Sequence, residues 1–426
     1  MKSFKYTLCG MLASTVLAGA ISAPAFAESS VVQVSKKPRQ DYDALGLSVG
    51  SFYLMPSAVG GVTIDDNIYA TDTGKVDDTI FNVKPEVGLY SNWNNNSFAV
   101  IASADLGYYD QNSREDYEDY TLTSYGTLEV MEGTYFDAGV DYSKLHEDRG
   151  SPDSLGAVAD PTEYNVFKAN VAFTRDLSLL SMKLFADYTR RNFKDADLVG
   201  GGINNNDDRD RKRYNVGLRL GYEIGDSTEA YVLGTRNKVE YDNSQEDGGP
   251  LRDGNGYRLV VGGVLDITGT TSIDVYAGYL NHDYDSSALK DVGKFTYGAA
   301  IEWSPTELTS MKLGVSQDVV ETSVSDENAL GAFVPVAGIL NTGVDFTIEH
   351  ELMENLILSG IASYARQEFI GTVREDDVLG FGLAGEYLIN RNLRLKLRYD
   401  YSDKSNEVGR GEFSRNKIMA SLKLQW

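Results

Sequence analysis

Lys417-Ile418-Met419-Ala420-Ser421-Leu422-Lys423-Leu424-Gln425-Trp426 ends the chain, and its alternation decides the fold. Ile418, Ala420, Leu422, Leu424 and Trp426 share one face of an extended strand, while Lys417, Met419, Ser421, Lys423 and Gln425 share the other. One face is oily and ends on an aromatic; the other is basic and polar. A soluble sheet can carry such a strand once. Here the pattern recurs about eighteen times, so the apolar side faces lipid rather than a protein core.

Working back from the C-terminus, Leu393, Leu395, Leu397, Tyr399 and Tyr401 alternate with Arg394, Lys396, Arg398 and Asp400. Phe295 to Trp303, Tyr214 to Tyr222, Phe136 to Tyr142 and Phe98 to Tyr108 repeat the pattern. Helical spacing would drive these charges onto the apolar stripe, which excludes amphipathic helices. Tight turns are expected near Asn94, Gly133, Leu177, Gly225, Gly269, Thr306, Glu354 and Asn390. Longer acidic loops fall between them, near Asp72, Arg114, Asp153, Asn205, Gln245, Leu289, Asn328, Arg374 and Glu407. Strict alternation of short and long connections predicts an all-β, antiparallel transmembrane β-barrel of the bacterial outer membrane, with about 18 strands and 16 as the alternative. An even count places both termini on the short-turn side, expected to be periplasmic. The strand after Ser227 alternates poorly, and Pro56 and Pro85 interrupt the first two strands, toward their periplasmic ends.

The N-terminus agrees with export. Lys2 and Lys5, an apolar run from Leu8 to Ile21 and Ala25-Phe26-Ala27 read as a cleaved signal peptide over residues 1–27. Residues 28–46 lack periodicity and read as a short flexible periplasmic segment; residues 47–426 form a single barrel domain. Cys9 lies inside the signal, so the mature chain has no thiol for a disulfide, a thiolate metal site or a nucleophile. Loss of Lys2 and Lys5 takes the net charge from −24 to −26, an acidity that argues against nucleic acid. Tyr is abundant at 27 and Pro scarce at 9, as a barrel demands.

The predicted inward residues divide by sign. Lys183, Arg191, Arg213, Arg219, Arg394, Lys396, Arg398, Arg415, Lys417 and Lys423 form a candidate basic patch. Asp105, Asp137, Asp141, Asp274, Asp318, Asp345 and Glu349 form a candidate acidic wall. Opposed walls would set a field across a wet pore and orient charged solutes; the blander reading is paired charge that hydrates and stiffens the lumen. The loops centred on Asp153, Asn205 and Asn328 are the candidates for a constriction. Tyr108, Tyr109, Tyr142, Tyr188, Tyr399 and Tyr401 read as an interfacial girdle. Leu422, Leu424 and Trp426 form the signal that outer-membrane assembly machinery would read.

No chemistry emerges from spacing. His146, His282 and His350 are scattered and pair with no serine in a nucleophile–base arrangement. The run Asp207, Asp208 and Asp210 with Arg209, Arg211, Lys212 and Arg213 lacks calcium-loop spacing and its glycine, and reads as a solvated loop. No enzyme and no cofactor are expected; divalent cations bridging acidic loops to lipopolysaccharide are the one metal association the composition suggests.

Pro56-Ser57, then Asp65-Asp66-Asn67-Ile68-Tyr69, then a strand with Pro85 and Leu89 and the Tyr-rich tract Leu106 to Tyr120 resemble the outer-membrane beta-barrel porin 2 family. The resemblance covers most of the mature chain in pattern, and the Pro-Ser and Asp-Asp-Asn-Ile-Tyr segments are its distinctive motif. It implies a single-domain barrel acting as the outer-membrane exit for an exopolysaccharide, supplied by a periplasmic polysaccharide export protein. The family carries no defined catalytic or binding residues onto this chain. A diffusion porin and a closed structural or adhesive barrel remain as alternative readings.

Overall fold

The structure is a computed structural model that describes residues 31–154, 158–225, 227–242, 250–267, 269–328 and 330–426. The expected signal peptide lies outside the described residues. The wall begins with β1 Phe52–Asp65, β2 Asp78–Ser91, β3 Ser97–Tyr109, β4 Tyr117–Met131, β5 Thr134–His146 and β6 Glu163–Leu177. It continues through β7 Leu180–Phe193, β8 Arg211–Gly225, β9 Thr228–Tyr241, β10 Gly254–Ile267, β11 Thr271–Tyr284 and β12 Val292–Thr306. The last six strands are β13 Thr309–Val320, β14 Ile339–Met353, β15 Leu356–Phe369, β16 Glu375–Asn390, β17 Leu393–Asn406 and β18 Phe413–Gln425.

Each strand pairs antiparallel with its chain neighbours, and β1 closes on β18 from Ser57 opposite Gln425 to Asp65 opposite Lys417. Closure pairs the first strand with the last, as a lipid phase that cannot solvate backbone polar groups requires; toward the loop end the β12–β13 ladder stops at Gly298 opposite Ser316. Spacing of about 4.8 Å and a tilt of roughly 40° make eighteen strands a cylinder about 36 Å across between backbones. The poorly alternating segment after Ser227 is a full strand, β9. Short turns gather at one end and long loops at the other. At the turn end Gly133 has φ +71°, and a Cβ there would lie 2.9 Å from the Asp176 carbonyl oxygen, so the two-residue β4–β5 hairpin requires glycine.

Alternation puts the large apolar side chains outside. Ile418, Leu422, Leu424 and Trp426 are all exposed on the outer face of β18, while Arg415, Lys417 and Lys423 point inward. Tyr108, Tyr142, Tyr188, Tyr399 and Tyr401 lie on the outward parity as the girdle requires; Tyr109 has the opposite parity and turns into the lumen.

Both prolines sit at ladder interruptions. Pro56 lies one residue beyond the β1–β18 ladder, and its carbonyl accepts from the Trp426 N–H at 3.2 Å. Pro85 is near the middle of β2, not at its turn end as the sequence suggested; the β2–β3 ladder skips Lys84 and Pro85, so no N–H is needed there.

The distinctive motif secures this same seam. Asp66 accepts from the Asn416 backbone N–H at 2.7 Å and its side-chain amide at 2.6 Å. Asn67 is fully buried; its amide donates to the carbonyls of Thr71 at 2.7 Å and Ser414 at 3.0 Å. Pro-Ser and Asp-Asp-Asn thus hold the two ends of the joint between the first and last strands.

The N-terminal segment corrects the expectation of a flexible lead-in. From Val31 onward it lies against the inner wall at the turn end. Val34 is buried against Ile357 and Leu388, and the Ser35 N–H donates to Glu349 at 2.8 Å. Arg39 pairs with Glu351 at 2.8 Å, and Arg394 reaches Asp43 at 3.2 Å. The segment therefore spans part of that mouth, from β14 to β17.

Candidate functional site

Strand parity places every candidate of the basic patch and acidic wall on the lumenal face. What they do there differs from two opposed fields. Asp105 is paired with Lys84 at 2.6 Å and Asp318 with Arg258. Asp137 accepts from Thr127 at 2.7 Å, Asp141 from Thr123 at 2.7 Å and Asp274 from the Tyr231 hydroxyl at 2.8 Å. Glu349 holds the N-terminal segment. Of the acidic wall, Asp105 and Asp318 are neutralised by a cation, while Asp137, Asp141, Asp274 and Glu349 are held by neutral donors and keep their charge; Asp345 is the member without a hydrogen bond or ion pair among the described residues.

Half of the basic patch is also committed. Arg219 forms two bonds to Glu229, at 2.7 and 2.9 Å, and Arg398 two to Asp400, at 2.6 and 2.8 Å. Lys417 pairs with Asp65 at 3.3 Å, Arg415 reaches Asp148 at 3.2 Å, and Arg394 holds Asp43. Lys183, Arg191, Arg213, Lys396 and Lys423 have no ion-pair partner among the described residues, so uncompensated charge of both signs faces the lumen, the positive share gathered on β7–β8 and β17–β18.

The long loops fold inward and meet. Glu147-Asp148-Arg149-Gly150-Ser151-Pro152-Asp153, which follows β5, is the keystone, because successive residues grip different parts of the wall. Glu147 takes two bonds from Arg209 of the β7–β8 loop, at 2.6 and 3.2 Å. Asp148 meets Arg415 on β18. Arg149 forms a bidentate pair with Glu115 of the β3–β4 loop, Nε to Oε2 at 2.9 Å and Nη2 to Oε1 at 2.5 Å. Gly150 gives its carbonyl to Lys404 of β17 at 3.2 Å, and a Cβ there would stand 2.8 Å from the Phe413 ring. Asp153 accepts from Thr322 in the β13–β14 loop, on the far side of the barrel. The three loops expected to constrict the lumen are those that interlock. The Asp207–Asp210 run is correspondingly not a solvated loop: Arg209 is buried, stacked 4.0 Å over Phe193 as it holds Glu147.

Electrostatics tighten the keystone. Crowding raises the Asp148 carboxyl's affinity for a proton, but Arg415 and Lys417 more than reverse this and hold it well below the usual carboxylate range. Burial pushes Glu147 up, opposed by Arg209.

Beneath the constriction lies an arginine cluster. Arg191 on β7 stands directly across the ladder from Arg211 on β8, two residues before Arg213. The Nε atoms of Arg191 and Arg213 are buried without a hydrogen-bond partner. Aromatic rings flank the cluster: Phe193 stacks on Tyr164 at 5.1 Å, and the Arg211 guanidinium lies 5.6 Å from Phe193 and 5.7 Å from Tyr241. Adjacent like charges with unmet donors are costly alone and favour an anion between them. Parity finds Arg191 and Arg213 but not Arg211, because Arg211 falls in the charged run that reads as a loop, whereas the strand already begins there. The aromatic neighbours come from strands distant in sequence and had no local signal.

The histidines are separate. His146 stacks on Tyr117 at 4.1 Å and meets Asp119 at 3.0 Å; His282 is buried beside Tyr284; His350 meets the Thr309 hydroxyl at 3.0 Å. Among the described residues no three potential metal ligands cluster.

No curated protein matches the sequence. Similar solved structures include the copper transporter OprC (11% identity, 92% of this chain and 82% of that one, TM-score 0.49). The siderophore receptor PiuA from Acinetobacter baumannii aligns at 9% identity over 89% of this chain and 82% of its own, with TM-score 0.49. OpdK from Pseudomonas aeruginosa, solved with vanillate, aligns at 11% identity over 88% and 99%, with TM-score 0.45. Residues 39–426 match the family model described as "Putative beta-barrel porin 2". A closed wall with a lipid-compatible exterior, a charged lumen and a family match over nearly all of the chain agree, and the protein belongs to this family of outer-membrane β-barrel porins.

Proposed function

We propose that this barrel is a non-enzymatic outer-membrane channel for an anionic, hydroxyl-rich cargo, foremost a secreted exopolysaccharide, with its long loops outside the cell and both termini in the periplasm. The observation that carries the reading is the Arg191–Arg211–Arg213 cluster, which has no ion-pair partner among the described residues and faces the lumen beside Tyr164, Phe193 and Tyr241. Guanidinium groups bind carboxylates and phosphates through paired N–H donors, and flat aromatic rings offer apolar faces to sugars. A periplasmic export protein would deliver the polymer at the turn end.

The test is a planar bilayer containing the full chain under a salt gradient, with polyuronate oligomers added on one side. Anion-selective current blocked by the oligomers is expected. In the Arg191→Gln/Arg213→Gln variant both selectivity and block should fall several-fold. Cation selectivity in the wild type, or block unchanged by the double substitution, would overturn the proposal. The Asp153–Thr322 contact across the lumen favours one competitor, a closed structural barrel, which predicts no current at all.

A further inference from the structure

The outer face of β6–β10 departs from the rest of the apolar wall. Two concavities open on it, of about 700 and 400 Å³. The upper one is bordered by Tyr188, Tyr214, Arg236 and Lys238, over a floor of Ala169 and Ala186. The lower one is lined on its outward side by Leu180, Leu220, Tyr222, Ala230, Val232 and Val261. Between them β9 presents Gly234 outward, opposite Leu218 and Leu259, and a Cβ at Gly234 would meet nothing nearer than the Leu259 side chain at 3.8 Å. The strand therefore forms the floor of a channel walled by longer side chains.

Arg236 is the anomaly in this wall. It faces outward in the row of Val216 and Tyr257, directly above apolar Ala230, Val232 and Gly234, where neighbouring strands carry girdle aromatics. Lys144 and Lys194 are neutralised by Glu163, Arg190 and Lys212 by Asp242, and Lys238 by Glu240, while Arg175, at the turn end of β6, is held by the Glu132 carbonyl and the Thr134 hydroxyl. Arg236 is exposed and has no such partner among the described residues. A charge on the lipid face is costly at the midplane and cheap near the interface, so this guanidinium belongs at the headgroup level with an anion.

We propose that this face seats one molecule of lipid A, the phosphorylated glycolipid of the outer leaflet. A lipid A phosphate binds Arg236 and draws Lys238 from its exposed pair with Glu240, the girdle tyrosines Tyr188 and Tyr214 meet the sugar, and an acyl chain lies along Gly234 and Val232. The inference rests on the proposed orientation, with the long loops outward, and not on the cargo.

The test uses the full chain extracted from outer membranes in mild detergent, stripped, then offered bisphosphorylated lipid A, dephosphorylated lipid A or phosphatidylglycerol. Native mass spectrometry reads the bound stoichiometry. One lipid A per barrel is expected, with retention about tenfold lower for Arg236→Gln/Lys238→Gln and for the dephosphorylated lipid. A comparator, Lys212→Gln, should retain lipid A as the wild type does, and heat-modifiable gel mobility confirms that each variant is folded. Equal retention by the double variant, or phosphatidylglycerol held as well as lipid A, overturns the proposal. Labelling of a Glu407→Cys variant on intact cells reports the orientation separately, so the two failures are distinguishable.

Discussion

Replacing Arg149 with glutamine removes one partner of a buried ion pair at the centre of the constriction. Side-chain exposure is 6% for Arg149 and 3% for Glu115, and two parallel hydrogen bonds join them. Loss of the guanidinium strands the Glu115 carboxylate away from water, which costs about 3–5 kcal/mol for pairs of this kind. Because each 1.4 kcal/mol is about tenfold, the equilibrium between inward and released loop should move by roughly two to three and a half orders of magnitude. Arg149 also donates to the Val158 carbonyl at 3.0 Å, so the whole turn loosens with it. Single-channel recording should show longer or larger openings, and limited proteolysis on intact cells should cleave within 147–153. The orphan charge makes the sharper test: adding Glu115→Gln to Arg149→Gln should restore much of the closed behaviour, since two neutral amides can pair. A double variant as open as the single one would refute the ion-pair account. A single variant identical to wild type in both assays would refute the keystone.

Two further outcomes follow from the same contacts. Asn67→Ala removes four side-chain hydrogen bonds beside the β1–β18 seam, two donated by its amide and two accepted from Thr71, its N–H at 3.1 Å and its hydroxyl at 3.3 Å. At about 1 kcal/mol each, the barrel should lose roughly 2–4 kcal/mol, read as a lower urea midpoint for the loss of heat-modifiable mobility. The Asp148 carboxyl has a depressed proton affinity, so its contribution is fully present above the ordinary value of 3.8 and is lost as pH falls through the depressed one. Acidification below 3.8 should therefore raise loop cleavage and conductance, and Arg415→Gln should shift that onset to higher pH.

Connections and strand faces were legible because β-structure has a period of two and a bilayer rewards keeping it. The eight turns and nine loops expected from composition all fall between observed strands, and Leu395 and Arg398 lie on the faces their parity assigns. The lumen was half legible. Parity found Arg191, Arg213 and Asp318, but could not say that Asp318 is spent on Arg258 while Arg191 has no acid beside it. Glu349 and Arg394 were read as pore lining, yet they hold a segment some three hundred residues away in the chain.

The alternation of Ile418, Ala420, Leu422 and Leu424 with charged neighbours was by itself sufficient to specify a lipid-facing antiparallel wall, because side-chain direction in a strand is a local property of the backbone. Tertiary structure alone decided which charges remain unpaired, that Asp-Asp-Asn holds the closing seam, and that the 147–153 loop crosses the lumen. Pairing depends on distances between residues remote in sequence, and those distances exist only once the eighteen strands have closed into a ring.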